Sequence, residues 1–216
     1  MRTCTAIALL LIVAAAQGQS SLTKKQRYDS LMQARKNIEA AFIQLSPADK
    51  VADIGTGAGY SLVPIVSRYP QLRFVAEDID SGYCNKTFLT KAARQLKYNI
   101  NTDSIDIHIG TEKSTGLPPH SFTKVLAFDV LHEMTYKTEM LADIKNILQQ
   151  NGVLIIGEIL VHKTKKKERT CNYPYLTETE LKDILSANHL RVTKEAMTFD
   201  NGRNKYLKLF ECIFTE

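Results

Sequence analysis

Asp53-Ile54-Gly55-Thr56-Gly57-Ala58-Gly59-Tyr60 is the stretch whose residue types and spacing carry the most chemistry. Glycines at this density let backbone N–H groups approach a ligand closely, and a helix beginning just beyond aims its positive end at the same place. The spacing is G-x-G-x-G with a carboxylate two residues ahead of it. A dinucleotide fingerprint has G-x-G-x-x-G to cradle a pyrophosphate instead. Asp53 repels phosphates and suits an amino or ammonium group. A second acidic run, Glu77-Asp78-Ile79-Asp80, follows at about the distance where an acid meets ribose hydroxyls in nucleotide-binding βαβ units; its plainer reading is a solvated strand end. A nucleoside with a cationic amino-acid tail and no phosphate, such as S-adenosylmethionine, meets both demands.

These residues need a scaffold that brings strand ends together. Tyr28, Leu31, Ala34, Ile38, Ala41, Phe42 and Leu45 recur at helical spacing and predict a lead-in helix ending near Ser46-Pro47. Beyond it, strands are predicted at Val51–Ile54, Arg73–Ala76, Ile105–Ile109, Lys124–Phe128 and Val153–Gly157. Helices from Leu62 to Val66, from Asn85 to Tyr98 and through Met140 to Leu148 alternate with them, the last stopped by Asn151-Gly152 in the left-handed region. Thr177-Glu178-Thr179-Glu180 reads as a capping box opening another helix. Arg191–Phe199 and Tyr206–Phe214 flank Asp200-Asn201-Gly202 as a closing hairpin. Strands alternating with helices imply an α/β fold: a doubly wound, mostly parallel, seven-stranded Rossmann-like sheet with a C-terminal antiparallel hairpin. In such a sheet the ligand sits beyond the carboxyl ends of the strands.

The series VADIGTGAGY, FVAEDID, HIGTEKSTGLPPHSF, KVLAFDVLHEM and ILQQNGVLIIGE resembles the ordered motifs of class I S-adenosylmethionine-dependent methyltransferases, and its details are similar to an exported bacterial branch of that family. The resemblance implies that Asp53, Gly55, Thr56, Gly57 and Gly59 line the methionine part. Asp78 then holds the ribose, with Ile79 beside it, and the adenine lies against Gly110-Thr111-Glu112. The family commonly has an Asp where Thr111 stands, so Thr111 or Glu112 would take its hydrogen bond. Asp129 faces the methyl group and the acceptor. Tyr60 either covers the ligand or packs.

Methyl transfer from a sulfonium needs a nucleophile held in line with the methyl group in a dry site. Where the acceptor is a hydroxyl or ammonium group a proton must leave, and His132-Glu133 beside Asp129 is the candidate base pair of residues. The alternative is that His132 packs against the ligand and Glu133 caps the following loop. Glu158, at the end of the fifth strand, either enters the acceptor pocket or, the reading its usual exposure favours, is a solvated strand end. The acceptor, a small molecule or a protein side chain, is expected between the lead-in helix and the segment Ile159 to Leu176. Two other functions fit a sheet of this kind: a nicotinamide-dependent oxidoreductase, against which the G-x-G-x-G spacing speaks, and a non-catalytic nucleoside-binding protein.

Composition narrows the field without naming a function. With 216 residues, 44% hydrophobic and 24% charged, the chain is neither disordered nor fibrous. Met1-Arg2-Thr3, the apolar run Ala6–Ala16 and Gln17-Gly18 read as a signal peptide over residues 1–18, cut after Ala16 or Gly18. The expected product is a secreted or periplasmic protein, the alternative an uncleaved membrane anchor. The run is too short for a stable membrane span. Residues 19–50 then form the lead-in segment and 51–216 the methyltransferase domain. A net charge of +5 is mild, and the basic run Lys163–Arg169 has no interleaved aromatics, so no nucleic-acid partner is expected. After removal of Cys4, the three cysteines Cys84, Cys171 and Cys212 allow at most one internal disulfide. There is no C-x-x-C pair, and the histidines lack ligand spacing, so no metal site is expected. Asn85-Lys86-Thr87 matches a glycosylation sequon, read as chance.

Overall fold

The computed structural model describes residues 36–162, 171–200 and 204–215, together with residues 23 and 202. The expected leader, the first turns of the lead-in helix and the basic run Lys163–Arg169 lie outside the described residues.

Four consecutive buried residues make β1 (Val51–Ile54) an interior strand, covered on both faces. On one side of it lie β2 (Phe74–Asp78) and then β3 (Ile105–Ile109). On the other lie β4 (Phe122–Phe128), β5 (Leu148–Val161), β7 (Lys205–Phe214) and β6 (Leu190–Asp200), giving the order β3-β2-β1-β4-β5-β7-β6. The first five strands are parallel to one another, whereas β7 runs antiparallel to both β5 and β6. The alternation of strands and helices thus produces the expected doubly wound sheet, with the hairpin slipping one reversed strand into it.

Two layers of helix bury the sheet. The helix at 36–43, α1 (Leu62–Arg68) and α2 (Lys86–Leu96) cover one face through Phe42, Val63 and Leu89; α3 (Lys137–Ile147) and α4 (Glu178–Ala187) cover the other through Ile144, Leu181 and Leu185. No helix among the described residues is long and apolar enough to cross a membrane. Cys84 and Cys212 belong to opposite layers and do not pair; burial pushes both thiols up to about 12.

The start of β5 corrects the sequence reading. Asn151-Gly152 does not end α3: the helix stops at Ile147, and Leu148 turns to extended backbone (φ −73°, ψ 142°). Leu148, only 3% exposed, is needed in the core and pairs with Phe122, so the strand begins there and takes up the extra residues in an irregularity before Val153 pairs with Lys124. Asn85 of the sequon caps α2, accepting from the Phe88 amide, while its Nδ2 donates to the carbonyls of Ser81 and Gly82.

The capping box forms as predicted: Thr177 Oγ1 accepts from the Glu180 amide at 3.2 Å and the Glu180 carboxylate accepts from the Thr177 amide at 3.0 Å. Thr177→Ala removes the acceptor of the Glu180 amide and should cost about 1 kcal/mol in urea denaturation; an unchanged midpoint and slope would show that α4 is held by its buried leucines alone.

Candidate active site

Chain order reverses between β1 and β4, so the loops after these neighbouring strands diverge and open a crevice. A cleft of about 600 Å³ lies there, lined along one side by Gly55, Thr56, Gly57 and Tyr60, then by Glu77, Asp78, Ile79 and Glu112. Its other end is formed by Asp129, Val130, Glu133, Met134, Met140 and Tyr173. Loops from β1, β2, β3 and β4 therefore meet at one place.

The turn after β1 exists because its backbone takes a path only glycine follows easily. Gly55 has φ +69°, and a Cβ there would stand 2.2 Å from Val130 Cγ2. The turn is tied to β2 by the Thr56 amide, which donates to the Glu77 carbonyl at 2.9 Å, and by the Gly57 amide, which donates to Asp78 Oδ2 at 2.7 Å. Asp78 Oδ1 accepts from the Asp80 amide at 2.9 Å. This carboxylate is locked in orientation before any ligand arrives.

Several expected residues stand elsewhere than at the cleft wall. Asp53 is 2% exposed and sits beneath the turn, where Thr56 Oγ1 donates to its Oδ2 at 2.8 Å; it supports the floor and is not among the residues lining the cleft. Gly59 faces Leu89, which a Cβ would meet at 2.2 Å, so it lets α2 close on the turn. Thr111 uses its hydroxyl in a local turn with Ser114, leaving Glu112 to line the cleft. That loop is anchored from α3 by Asp143, which accepts from Ser114 Oγ and from the amide and hydroxyl of Thr115. Tyr60 is on the wall, 49% exposed, with its hydroxyl hydrogen-bonded to Gln95 Oε1. Asp129 and Glu133 are on the wall, but His132 is not: it is 3% exposed, behind them.

Glu158 corrects the expectation of a solvated strand end. It is fully buried, its Oε1 2.9 Å from His132 Nδ1, and its Oε2 accepts from the His132 amide at 3.3 Å. Burial pushes the Glu158 carboxyl above the usual carboxylate range while the hydrogen bond from His132 pulls against it; for His132, burial acts downward but the Glu158 contact leaves it raised. Parallel pairing explains the meeting: Phe128 lies beside Gly157, which sets the turn after β4 next to Glu158.

Glu77 reads in the sequence only as part of an acidic run. Its side chain is 1% exposed, and Oε1 has no hydrogen-bond partner among the described residues. Burial, then the neighbouring Asp78 charge, push its carboxyl up to about 8; burial likewise lifts Asp53 to about 7. The signal available was Ala76-Glu77-Asp78 at a strand end with apolar residues on both sides, a pattern of burial that reaches one residue further than the apolar run.

Comparison with known proteins agrees with the fold. The sequence model of a family described as "Methyltransferase domain" matches residues 52–154. A fusarielin synthase of Gibberella zeae is 28% identical over 119 residues, which are 53% of this chain and 4% of that much larger protein. Among solved structures, a SAM-dependent methyltransferase from Aquifex aeolicus superposes with a TM-score of 0.61 at 20% identity, covering 82% of this chain and 89% of that one. An O-methyltransferase from a trans-AT PKS multienzyme of Brevibacillus brevis, in complex with S-adenosyl-L-homocysteine, gives 0.59 at 12% identity, with 88% and 74% covered. The chain has the class I fold of S-adenosylmethionine-dependent methyltransferases. Residues 52–154 are the part of it that the family's sequence model matches.

Because Glu77 and Asp53 hold protons more tightly folded than the ordinary values of 4.5 and 3.8, their contribution to stability is full below about pH 4 and is lost as pH rises through about 8. The melting temperature of the ligand-free protein should therefore decline by a few degrees from about pH 5 to about pH 8, and Glu77→Gln should flatten that decline. Parallel scanning-calorimetry profiles for the two proteins would contradict the assignment.

Proposed function

We propose that this protein transfers a methyl group from S-adenosylmethionine to a small-molecule or protein acceptor. The observation that carries the reading is Glu77: a carboxylic oxygen buried without a partner, at the edge of a cleft that also holds the locked Asp78 and an open glycine turn. A buried polar atom left unpaired costs about 1–3 kcal/mol, which a ligand rich in hydroxyl and amino donors recovers on binding. The residues present thus fit the cofactor. Gly55, Thr56 and Gly57 would take its amino-acid part, Asp78 and Glu77 the ribose side, and Ile79 with Glu112 the base.

Bound there, the cofactor supplies an electrophilic methyl group. The protein's part is to hold an acceptor in line with it and to exclude water. Met134, Met140 and Tyr173 supply apolar surface at that end of the cleft, and Asp129 and Glu133 supply carboxylates to which a hydroxyl or ammonium acceptor can lose its proton. His132, buried behind this wall, positions neighbouring groups and does not itself reach the acceptor.

Titration calorimetry should show S-adenosylmethionine and S-adenosylhomocysteine binding at one site. Asp78→Ala should weaken both by roughly 10- to 100-fold, the worth of a hydrogen bond to a charged group. A methyl-transfer assay over metabolite and peptide panels, read as S-adenosylhomocysteine release, then identifies the acceptor. Absence of binding sinks the reading; binding with no turnover on any acceptor would favour the non-catalytic alternative.

We propose also that residues 1–18 direct export, on the support of the basic head, the apolar run Ala6–Ala16 and the small residues after it. N-terminal sequencing of the protein from a secreting bacterial host should begin at Gln17 or Gln19, and an intact Met1 would refute it.

A further inference from the structure

Three side chains from separate parts of the sequence converge behind the acceptor end of the cleft. His132 Nε2 lies 3.4 Å from Cys171 Sγ and 3.7 Å from Glu133 Oε1, and the three donor atoms all fall within 4.8 Å of one another. We propose that His132, Cys171 and Glu133 form a binding site for a zinc-type divalent cation, held by one nitrogen, one sulfur and one oxygen.

The distances carry the argument. Zinc bonds of about 2.0–2.1 Å to nitrogen, about 2.3 Å to sulfur and about 2.0–2.2 Å to oxygen in a tetrahedron place nitrogen and sulfur about 3.5 Å apart, and nitrogen and oxygen about 3.4 Å apart. The separations of 3.4 and 3.7 Å differ from these by a few tenths of an ångström, which side-chain rotation supplies. The set also matches the ion: a thiolate with an imidazole selects zinc over magnesium or calcium, which take oxygen ligands. Three protein ligands leave one position open.

The surroundings are those a metal-binding histidine requires. Glu158, fully buried, faces His132 Nδ1 at 2.9 Å and so turns the Nε2 lone pair toward Cys171 and Glu133. Tyr175 stacks on the imidazole at 6.0 Å and 26°, fixing the plane of the ring. A second grouping, Asp129 with His132 and Glu158, uses the nitrogen already committed to Glu158, and so is the weaker candidate. Cys171 differs from Cys84 and Cys212 in being half-exposed. With Glu133 engaged, Asp129 remains as the carboxylate to receive a proton from the acceptor. The site itself stands whether or not the protein transfers methyl groups.

Metal-free full-length protein titrated with Co²⁺ should take up one ion per chain and develop a thiolate-to-cobalt charge-transfer band. That band should be absent in Cys171→Ser and retained in Glu133→Gln. Competition with a chromophoric chelator should show zinc affinity at least tenfold lower in each variant, and Glu158→Gln should lower it by roughly 10- to 100-fold. In the unaltered protein, zinc should protect Cys171 from iodoacetamide, read by mass spectrometry on the Cys171 peptide so that Cys4 does not contribute; Cys84 and Cys212 are buried. Circular dichroism verifies that each variant is folded, and the exposed Glu133 makes its variant the safest. Lack of a charge-transfer band in the unaltered protein, or labelling of Cys171 at the same rate with and without zinc, overturns the proposal.

Discussion

Carboxylates buried toward the carboxyl ends of the parallel strands are the constraint from which the cleft follows. Asp53 on β1, Glu77 on β2 and Glu158 on β5 each stand at 2% exposure or less. Removing a carboxylate from water costs several kcal/mol unless hydrogen bonds or a charge partner replace the solvent. Asp53 is answered by the Thr56 hydroxyl, which bends the chain back over it and so shapes the glycine turn. Glu158 is answered by both the ring and the amide of His132, which folds the segment after β4 down against β5. Glu77 is answered on one oxygen only. Two of the three acids thus build the walls, and the third gives the cleft a reason to bind a donor-rich ligand.

The sheet supplies what these acids need: short distances between strand ends that are far apart in sequence. The parallel registers Asp53 with Ala76 and Phe128 with Gly157 bring β1 to β2 and β4 to β5 level at their carboxyl ends. The loops that leave there are therefore neighbours by construction, and each is tied down locally. Gly57 and Asp80 amides fix Asp78, Asp143 fixes the loop after β3, and the Asp129 amide donates to the Gly157 carbonyl at 2.7 Å. A cleft whose polar groups are positioned before binding loses little conformational entropy when the ligand arrives.

Local chemistry was readable from the residues because it depends on near neighbours. The glycine turn, the acids after β2, the capping box at Thr177 and the alternation of strands and helices all show within windows of a few residues, and all appear where expected. The failures share a cause. Asn151-Gly152 carries a local stop signal, yet the core's demand for Leu148 beside Phe122 overrode it. Glu158 reads as a solvated residue until β5 places it against His132, and Glu77 reads as surface acid until the loop after β3 crosses above it. Burial of a charged residue is decided by partners across the sheet, and no window along the chain contains them.

The same distinction separates the two ends of the cleft. The end proposed for the cofactor is made mostly of backbone, a turn, strand-end amides and two adjacent acids from residues 53–80, joined by Glu112 from the loop after β3. The acceptor end is assembled from side chains of the turn after β4, α3 and residues just before α4, joined by contacts such as that between His132 and Cys171 across 39 positions. A scaffold built this way can hold one cofactor with a constant set of local signals while its far end is changed residue by residue, since substitutions at Met134, Met140 or Tyr173 leave the glycine turn untouched. Under the proposed methyl transfer, substrate choice falls to the side chains around Asp129, Glu133 and Tyr173, and Glu158 holds His132 behind them by its contact with Nδ1.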